Sequence, residues 1–321
     1  MSRIFVTRKI PEDGINLLQE AGHEVTISTK EGVLTKEELI AELGKESYDA
    51  VLCLLTDTID GEVFDATDAK IFANYAVGYD NIDLEAAKER GVTVTNTPGV
   101  LTETVAEYAF SLMLAVAKRI PEADRFTRAG KYDGWAPELL LGSDLKGKTL
   151  GILGAGRIGY AMAEKAYRGL GMNIIYNDIK KNEHFENDLA ATYKEDIEEL
   201  FAEADIVSVH VPLLPATKHL VNGVRLAMMK KTAYLINTSR GPVVDEKALV
   251  EALKTGQIAG AGLDVYEDEP ALAAGLSDLD NVTLTPHIAS ASVETRGKMS
   301  LIAAQNIVAF LNGETPENVV S

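Results

Sequence analysis

Three ionisable side chains follow short β-branched runs in the second half of this 321-residue chain, and their types suit one kind of chemistry. They are Arg240, Glu269 and His287. The carboxyl ends of parallel strands converge on the crevice where an α/β sheet binds its ligands. We therefore expect the three side chains to lie close together, although each comes from a different strand.

An arginine, a carboxylate and a histidine in one place are the groups needed to reduce a 2-keto acid. A guanidinium group can bind a carboxylate through two hydrogen bonds. An imidazole titrates near neutrality and can protonate an oxygen, and a nearby carboxylate favours its charged form. Taken singly, Arg240 reads as a surface ion pair, Glu269 as a solvated loop acid and His287 as a capping or core histidine. The prediction therefore depends on their juxtaposition.

The other four histidines lack such company, so we interpret His23, His184, His210 and His219 as structural. His210 ends a predicted strand and precedes Val211-Pro212, which predicts that it borders the adenine pocket of a bound dinucleotide.

A glycine-rich turn, Gly154-Ala155-Gly156-Arg157-Ile158-Gly159, follows a predicted strand and opens a predicted helix at 158–169. This context is typical of dinucleotide binding, whereas the glycine spacing alone is weak evidence. Gly154 permits the tight turn, Gly156 lets the backbone approach a pyrophosphate, and Gly159 lets the helix lie against the sheet. The helix N-terminus then faces the phosphates.

An acidic residue, Asp178, comes at the end of the next predicted strand. A carboxylate about 20 residues beyond the turn accepts hydrogen bonds from the adenosine ribose and repels a 2′-phosphate. The position predicts NAD as the preferred cofactor, although the nearby Lys180 and Lys181 could soften that choice. The alternative is a solvated turn residue.

Strand-like and helix-like segments alternate almost throughout the chain, which predicts parallel sheets covered by helices. The second half alone supplies a six-stranded doubly wound sheet. Its predicted strands are 149–153, 172–176, 206–209, 232–236, 258–263 and 282–284.

The alternation breaks between Lys118 and Lys148, where glycine and proline punctuate a stretch without a clear strand. We interpret this stretch as an arm that packs on a second subunit, with an ordinary surface loop as the alternative. A final helix at about Val293–Leu311 has an apolar face and is expected to return to the N-terminal half.

Composition narrows the possible partners and the location. A formal net charge of −18 repels the phosphate backbone of nucleic acids and anionic membrane surfaces. The single cysteine, Cys53, lies in an apolar run and fits a reducing, cytoplasmic setting. No export signal is visible, and the longest apolar stretch, at 105–117, is interrupted by Glu107 and predicts a buried helix.

These residues, together with further landmarks along the whole chain, resemble the D-isomer-specific 2-hydroxyacid dehydrogenase family. The landmarks are 74–83 (NYAVGYDNID), Asn96-Thr97-Pro98 with Val105-Ala106-Glu107, the turn at 154–159, Thr238-Ser239-Arg240-Gly241, the loop at 263–270, and Pro286-His287-Ile288-Ala289-Ser290.

The resemblance implies a homodimer whose subunits have two Rossmann-like, doubly wound parallel-sheet domains. A discontinuous, flavodoxin-like substrate domain would comprise 1–99 and 287–321. The NAD-binding domain would be inserted between these segments at 100–286, with the dimerisation arm at about 119–148.

The resemblance also implies roles for individual residues. Arg240 would bind the substrate carboxylate and carbonyl oxygen, His287 would exchange the proton, and Glu269 would pair with His287. The substrate site would add Leu55, Trp135 and the backbone N–H groups of Val77 and Gly78. Asp264 would contact the nicotinamide carboxamide. Besides the glycine turn, Asp178 and His287, the remaining expected cofactor contacts are Thr104, His210, Val211, Pro212, Thr217, Thr238 and Ser290.

Within the family, the sequence from Trp135 to Leu150 is most similar to glyoxylate and hydroxypyruvate reductases, in which the arm tryptophan reaches the partner's active site. Trp135 could equally anchor the dimer contact without affecting specificity. The expected reaction is NADH-dependent reduction of glyoxylate or hydroxypyruvate, with NADPH as a possible substitute. The alternatives are a short D-3-phosphoglycerate dehydrogenase and a non-catalytic, dinucleotide-sensing protein like the corepressors of this fold.

Overall fold

Two parallel β-sheets, each covered by helices, organise the part of the chain that the computed structural model describes, residues 1–320. They belong to two units, one formed by Met1–Leu101 together with 291–320 and the other by Thr102–Ser290. The expectation of two parallel-sheet α/β domains is confirmed.

The first unit contains a five-stranded sheet in the order β2-β1-β3-β4-β5. All its neighbouring strands are parallel, and the order is that of flavodoxin-like folds. Its strands are β1 (Arg3–Val6), β2 (Glu24–Ile27), β3 (Ala50–Cys53), β4 (Ile71–Asn74) and β5 (Thr93–Thr95). Its helices before the second unit are α1 (Glu12–Glu20), α2 (Lys36–Leu43), α3 (Gly61–Asp65) and α4 (Leu84–Glu89).

The second unit contains a seven-stranded parallel sheet in the order β12-β11-β10-β9-β6-β7-β8. Its strands are β6 (Thr149–Leu153), β7 (Asn173–Asn177), β8 (Thr192–Tyr193), β9 (Ile206–Val209), β10 (Tyr234–Asn237), β11 (Gly260–Leu263) and β12 (Val282–Leu284). Its helices are α5 (Thr102–Ala117), α6 (Ile120–Arg128), α7 (Arg157–Leu170), α8 (Glu183–Leu189), α9 (Ile197–Glu203), α10 (Gly223–Met228) and α11 (Glu246–Lys254), with a 3₁₀ turn at Gly241–Val243. The strand order reverses between β6 and β9, as in dinucleotide-binding sheets.

The second sheet has one strand more than the six predicted. The seventh, β8, consists of Thr192–Tyr193 and pairs with Ile175 and Tyr176 at the sheet edge. Two residues are too few to show an alternating pattern, so periodicity carries no signal for this strand. The predicted apolar helix is α5, whose inward side chains are buried.

The predicted arm contains one helix, α6, and no strand among its described residues. Residues 129–139 are exposed, and the Trp135 side chain is 85% exposed. Among residues 1–320, no helix is long and apolar enough to cross a membrane.

The last helix, α12 (Val293–Leu311), packs against α1 within the first unit. The Ser300 hydroxyl accepts a hydrogen bond from Gly14 N–H at 2.7 Å and donates one to the Pro11 carbonyl at 2.8 Å. The two helices touch so closely that a Cβ on Gly14 would lie 2.3 Å from the Ser300 carbonyl oxygen.

His287 lies in the second unit, whereas the expected boundary at 286/287 assigns it to the other domain. The second unit extends to Ser290 because the buried Asp264 carboxylate accepts hydrogen bonds from the N–H groups of Ile288 and Ala289. The other boundary falls after Leu101 rather than after residue 99.

The glycine turn between β6 and α7 is possible only with glycine at two positions. Gly154 has φ +96°, and a Cβ there would lie 2.8 Å from the His210 carbonyl carbon. A Cβ on Gly159 would lie 2.2 Å from the Gly154 carbonyl oxygen. The inner face of α7 therefore packs directly on the turn.

Two glycines of α7 should respond oppositely to substitution. Gly159→Ala should destabilise the fold by about 1–3 kcal/mol, because the added methyl group clashes with backbone. Gly169→Ala, in the same helix but facing open space, should stabilise it by up to about 1 kcal/mol through helix propensity. Chemical denaturation measures both changes, and equal stability of the two variants would contradict the packing described for Gly159.

Candidate active site

The carboxyl edge of the seven-stranded sheet carries most of the residues singled out in the sequence. In the register of this sheet Asn237 pairs with Leu263, and Leu263 pairs with Leu284, so three loops start side by side. Arg240 follows β10, Glu269 follows β11 and His287 follows β12. The predicted juxtaposition of loops therefore arises from neighbouring strands.

Glu269 and His287 form a direct hydrogen-bonded pair. His287 Nδ1 lies 2.8 Å from Glu269 Oε2, and Glu269 Oε1 accepts a hydrogen bond from Tyr266 N–H at 3.0 Å. Although burial raises it, the pKa of Glu269 lies below its ordinary value because of the hydrogen bond and charge of His287, the Tyr266 N–H and the charge of Arg240. The carboxylate therefore stays ionised beside the imidazole.

His287 is held in an uncommon backbone conformation, with φ +55°. Its N–H donates to the Asp264 carbonyl at 2.8 Å and also approaches the Thr285 carbonyl at 3.1 Å. The segment is fixed further by the Asp264 side chain, which accepts hydrogen bonds from the Thr285 hydroxyl at 2.6 Å and from the N–H groups of Ile288 and Ala289. These contacts set the position from which the imidazole extends.

The predicted contact of Asp264 with the nicotinamide stays a prediction. Its side chain is fully buried and its carboxylate already accepts three hydrogen bonds from its own unit. Burial raises the pKa of Asp264, although the hydrogen bonds from Thr285, Ile288 and Ala289 and the charge of His287 oppose the shift. The role visible in the structure is to shape the His287 segment.

Arg240 lies in a turn that a buried asparagine organises. Asn237 donates from Nδ2 to the Arg240 carbonyl at 3.0 Å and accepts at Oδ1 from Ser239 N–H at 3.0 Å. Arg240 Nη1 donates to the Ser239 carbonyl at 2.9 Å. Sequence reasoning passed over Asn237, although an amide side chain at a buried strand end was an available signal.

The glycine turn fits a dinucleotide. Gly156 is the N-cap of α7 and supplies no side chain to the first N–H groups of that helix. A Cβ built on Gly156 would meet nothing within 4 Å, so the backbone is open to a ligand there. In addition, the buried Thr238 Oγ1 has no hydrogen-bond partner among the described residues. An uncapped helix N-terminus suits phosphates, and an unsatisfied hydroxyl at the same sheet edge suits a polar ring substituent.

Asp178 lies directly beside this turn. Its Oδ2 accepts a hydrogen bond from Ala155 N–H at 2.7 Å, and its Oδ1 accepts one from Ile179 N–H. Lys180 and Lys181 are exposed, and Lys181 Nζ lies 5.5 Å from the centre of the Tyr193 ring. The Asp178 carboxylate is thus tied to the glycine turn by a hydrogen bond to its backbone.

The remaining expected cofactor residues lie along the same edge or in α5. Burial lowers the pKa of His210 to about 4, so its ring is neutral, and its Nε2 lies 2.8 Å from the Ser208 hydroxyl. Thr217 Oγ1 donates to the Pro212 carbonyl at 2.6 Å and thereby closes the loop after β9. The rest are half-buried apart from exposed Arg157 and Pro212: Thr104, Ile158, Val211 and Ser290.

The first unit places three predicted substrate residues after its own strands, Leu55 after β3 and Val77-Gly78 after β4. Asn74 Nδ2 donates to the Gly78 carbonyl at 2.9 Å, and Asn96 Nδ2 donates to the Val77 carbonyl at 2.8 Å. The N–H groups of Val77 and Gly78 donate to no acceptor within residues 1–320. Both carbonyls are therefore held while both N–H groups stay available for an anion.

Comparison with known proteins agrees with this geometry. Residues 110–289 match the family model described as the D-isomer specific 2-hydroxyacid dehydrogenase, NAD binding domain. A glyoxylate reductase of Korarchaeum cryptofilum is 50% identical over 322 residues, which cover 99% of this chain and 96% of the relative.

Solved structures show the same architecture. A protein from Thermus thermophilus superimposes with a TM-score of 0.93 at 44% identity, covering 99% of this chain and 100% of that one. An NADPH-dependent glyoxylate/hydroxypyruvate reductase from Sinorhizobium meliloti, in complex with NADP and malonate, gives a TM-score of 0.86 at 35% identity and covers 100% and 97% of the two chains. The chain therefore belongs to the D-isomer specific 2-hydroxyacid dehydrogenase family. It is an oxidoreductase that reduces keto acids, and it contains an NAD(P)-binding domain.

Proposed function

We propose that this enzyme reduces glyoxylate or hydroxypyruvate to the corresponding 2-hydroxy acid, glycolate or D-glycerate, with His287 as the proton donor. The observation that carries the proposal is the 2.8 Å contact between His287 Nδ1 and Glu269 Oε2. The charge of Arg240 helps to lower the pKa of this glutamate. The relative from Korarchaeum cryptofilum, named glyoxylate reductase, supports the choice of substrate.

Substrate binding is assigned to positive charge and backbone donors. Arg240 binds the substrate carboxylate and carbonyl oxygen, because its guanidinium offers several donors in one plane. By resemblance to the family, Leu55, Val77 and Gly78 stay predicted substrate contacts. Trp135 is predicted either to reach the partner's active site or to anchor the dimer contact only. An arginine is needed because the overall charge of −18 disfavours a small anion.

Proton transfer is assigned to the imidazole nitrogen that does not face Glu269. A bound NADH or NADPH supplies the hydride that adds to the carbonyl carbon. His287 Nε2 gives its proton to the carbonyl oxygen, so the C=O group becomes CH–OH and the imidazole becomes neutral. The ionised Glu269 faces Nδ1 of the imidazole and thereby orients the ring so that Nε2 is left for the substrate.

Cofactor preference is assigned to Asp178, which lies beside the glycine turn and carries a negative charge where a 2′-phosphate would bind. We propose that NADH is preferred over NADPH. Thr238 holds the nicotinamide end with its unpartnered hydroxyl.

Assembly and location complete the proposal. We propose a homodimer in which the arm packs on a second copy, because apolar side chains at its surface are exposed, among them Tyr132, Trp135 and Leu141. We also propose a cytoplasmic location, since the single cysteine, Cys53, is buried and unpaired.

The proposed activity is tested directly by mixing the purified protein with NADH, or with NADPH, and a panel of 2-keto acids. Cofactor oxidation should be fastest with glyoxylate or hydroxypyruvate, compared with pyruvate and phosphohydroxypyruvate. Absence of oxidation with every keto acid, with either cofactor, would overturn the proposal.

Removing the imidazole should affect turnover far more than binding. His287→Ala should lower kcat by about 10²–10⁴-fold, because the transition state loses its proton donor. The affinity for NADH, measured by fluorescence titration, should stay close to that of the wild type. His184→Ala, which removes an exposed histidine of the same unit, is the matched control. Retention of most of the activity by His287→Ala would show that another group donates the proton.

Neutralising Asp178 should weaken the discrimination between the two cofactors. Asp178→Asn should reduce the ratio of kcat/KM for NADH over NADPH by about tenfold, equivalent to about 1.4 kcal/mol, because repulsion of the 2′-phosphate is lost. Glu195→Gln removes an exposed negative charge near the same sheet edge and should leave the ratio unchanged. A ratio in Asp178→Asn equal to that of the wild type would rule out this role.

A further inference from the structure

A buried carboxylate holds the loop that carries Glu269 at two points. Glu246, the first residue of α11, is only 4% exposed. Its Oε1 accepts a hydrogen bond from Glu267 N–H at 3.3 Å, and its Oε2 accepts one from Ala273 N–H at 3.1 Å. Because Glu267 and Ala273 flank Glu269 in the chain, a single side chain fixes both sides of the segment that presents the catalytic carboxylate.

The contact between Glu246 and Glu267 is reciprocal. The N–H of Glu246 donates to Glu267 Oε2 at 3.2 Å, while the Glu246 carboxylate accepts from the backbone of Glu267. Burial raises the pKa of Glu246, and the charges of Glu267 and Asp268 act in the same direction, whereas the two N–H donors oppose the shift. A buried carboxylate is costly and is tolerated only with such donors, so packing alone does not account for a glutamate here.

A second histidine–glutamate pair ties the same loop to the Arg240 segment. His219 Nε2 lies 2.6 Å from Glu267 Oε1, and the backbone N–H of His219 donates to the Pro242 carbonyl at 2.8 Å. The expectation that His219 lacks a charged partner is therefore wrong. Its partner is distant in sequence, so no local pattern revealed the pair.

Close backbone packing joins these segments further. A Cβ on Gly241 would lie 1.8 Å from the Tyr266 carbonyl carbon, so the chain after Arg240 runs directly against the start of the Glu269 loop. The Tyr266 hydroxyl donates to the Thr285 carbonyl at 2.8 Å, which connects that loop to the segment before His287. Displacement of one of the three loops is thus resisted by the other two.

We propose that Glu246 is a positioning residue for keto-acid reduction, which holds Glu269 where it pairs with His287, and that the His219–Glu267 pair fixes the same loop to the Arg240 segment. This inference rests on the function proposed above. Glu246 acts through Glu269, because its carboxylate is occupied by backbone donors of the loop.

The geometry explains why the loop needs this support. Glu269 Oε1 is held by Tyr266 N–H, a neighbour in the same loop, so this bond moves with the loop and does not fix it to the sheet. Glu246 belongs to α11, a helix whose inward residues, such as Leu249 and Leu253, are buried in the core. Through the two hydrogen bonds of Glu246, the position of the packed helix α11 determines where the Glu269 carboxylate lies.

The most direct variant is Glu246→Gln. Glutamine keeps the size of the side chain but offers one acceptor oxygen, so either Glu267 N–H or Ala273 N–H loses its partner. We expect kcat for glyoxylate or hydroxypyruvate to fall by about tenfold to a hundredfold, because a small displacement of the acid–base pair slows the chemical step. KM and the affinity for NADH should change little. Glu251→Gln, at an exposed position of the same helix, should behave as the wild type.

The solvent deuterium isotope effect on kcat separates positioning from loss of folded protein. We expect the effect to increase in Glu246→Gln, since proton transfer becomes more strongly rate-limiting. A variant that merely leaves fewer molecules folded lowers kcat in proportion to the folded fraction and leaves the isotope effect of the remaining enzyme unchanged. Thermal unfolding and circular dichroism measure the folded fraction in parallel.

His219 provides a second, independent test, because its side chain is partly exposed and its replacement need not disrupt the core. His219→Leu removes the hydrogen bond to Glu267 and should lower kcat severalfold, because the loop that presents Glu269 loses one of its contacts. His219→Gln keeps an N–H donor and should recover most of the activity. These two His219 variants test the inference if Glu246→Gln does not fold.

The outcomes are distinct. A Glu246→Gln enzyme with the kcat and isotope effect of the wild type would overturn the inference, as would a loss explained entirely by the folded fraction. Equal activities of His219→Leu, His219→Gln and the wild type would remove the role of the second pair. Failure of the wild-type protein to oxidise NADH with any keto acid of the panel would instead overturn the proposed function, on which the inference depends.

Discussion

The hydrogen bond between His287 Nδ1 and Glu269 Oε2 is the contact on which the proposed chemistry depends, and the sheet of the second unit places its two partners on neighbouring loops. β11 and β12 are parallel neighbours in register, so the loops that follow them begin side by side. The sheet brings the residues near one another, but a distance of 2.8 Å is set by the loops. The backbone of His287 in the left-handed region and the ionised state of Glu269 are both consequences of that local arrangement.

Buried polar side chains give these loops their shape. Asp264 holds the segment after β12, Asn237 holds the turn that contains Arg240, and Glu246 holds the loop that contains Glu269. Each is buried at or near the carboxyl edge of the sheet, where its desolvation is offset by several hydrogen bonds. Backbone donors and carbonyls are their main partners, so each side chain specifies a loop conformation. The His287 and Glu269 side chains themselves can then remain partly exposed.

The sequence could predict those parts of this arrangement that depend on local sequence patterns. The strands of the second sheet, the turn from Gly154 to Gly159 and the position of Asp178 follow from periodicity, glycine spacing and a fixed offset. The two-residue β8 left no pattern. The partners of the Glu246 carboxylate lie 21 and 27 residues away in the chain, and that of His219 lies 48 residues away, so their pairing depends on how the loops fold. For the same reason, the hydrogen bonds that the Asp264 carboxylate accepts from residues that follow the next strand left no local signal.

The kcat of Glu269→Gln tests the central contact most directly. Glutamine preserves the shape of the side chain but has one acceptor oxygen and no charge, so it cannot offer a carboxylate oxygen to both His287 Nδ1 and Tyr266 N–H. We expect kcat for keto-acid reduction by this variant to fall by about tenfold or more, because a charge-assisted hydrogen bond to the proton donor is lost. The affinity for NADH should stay close to that of the wild type. A variant with the kcat of the wild type would show that Glu269 does not support the proton donor.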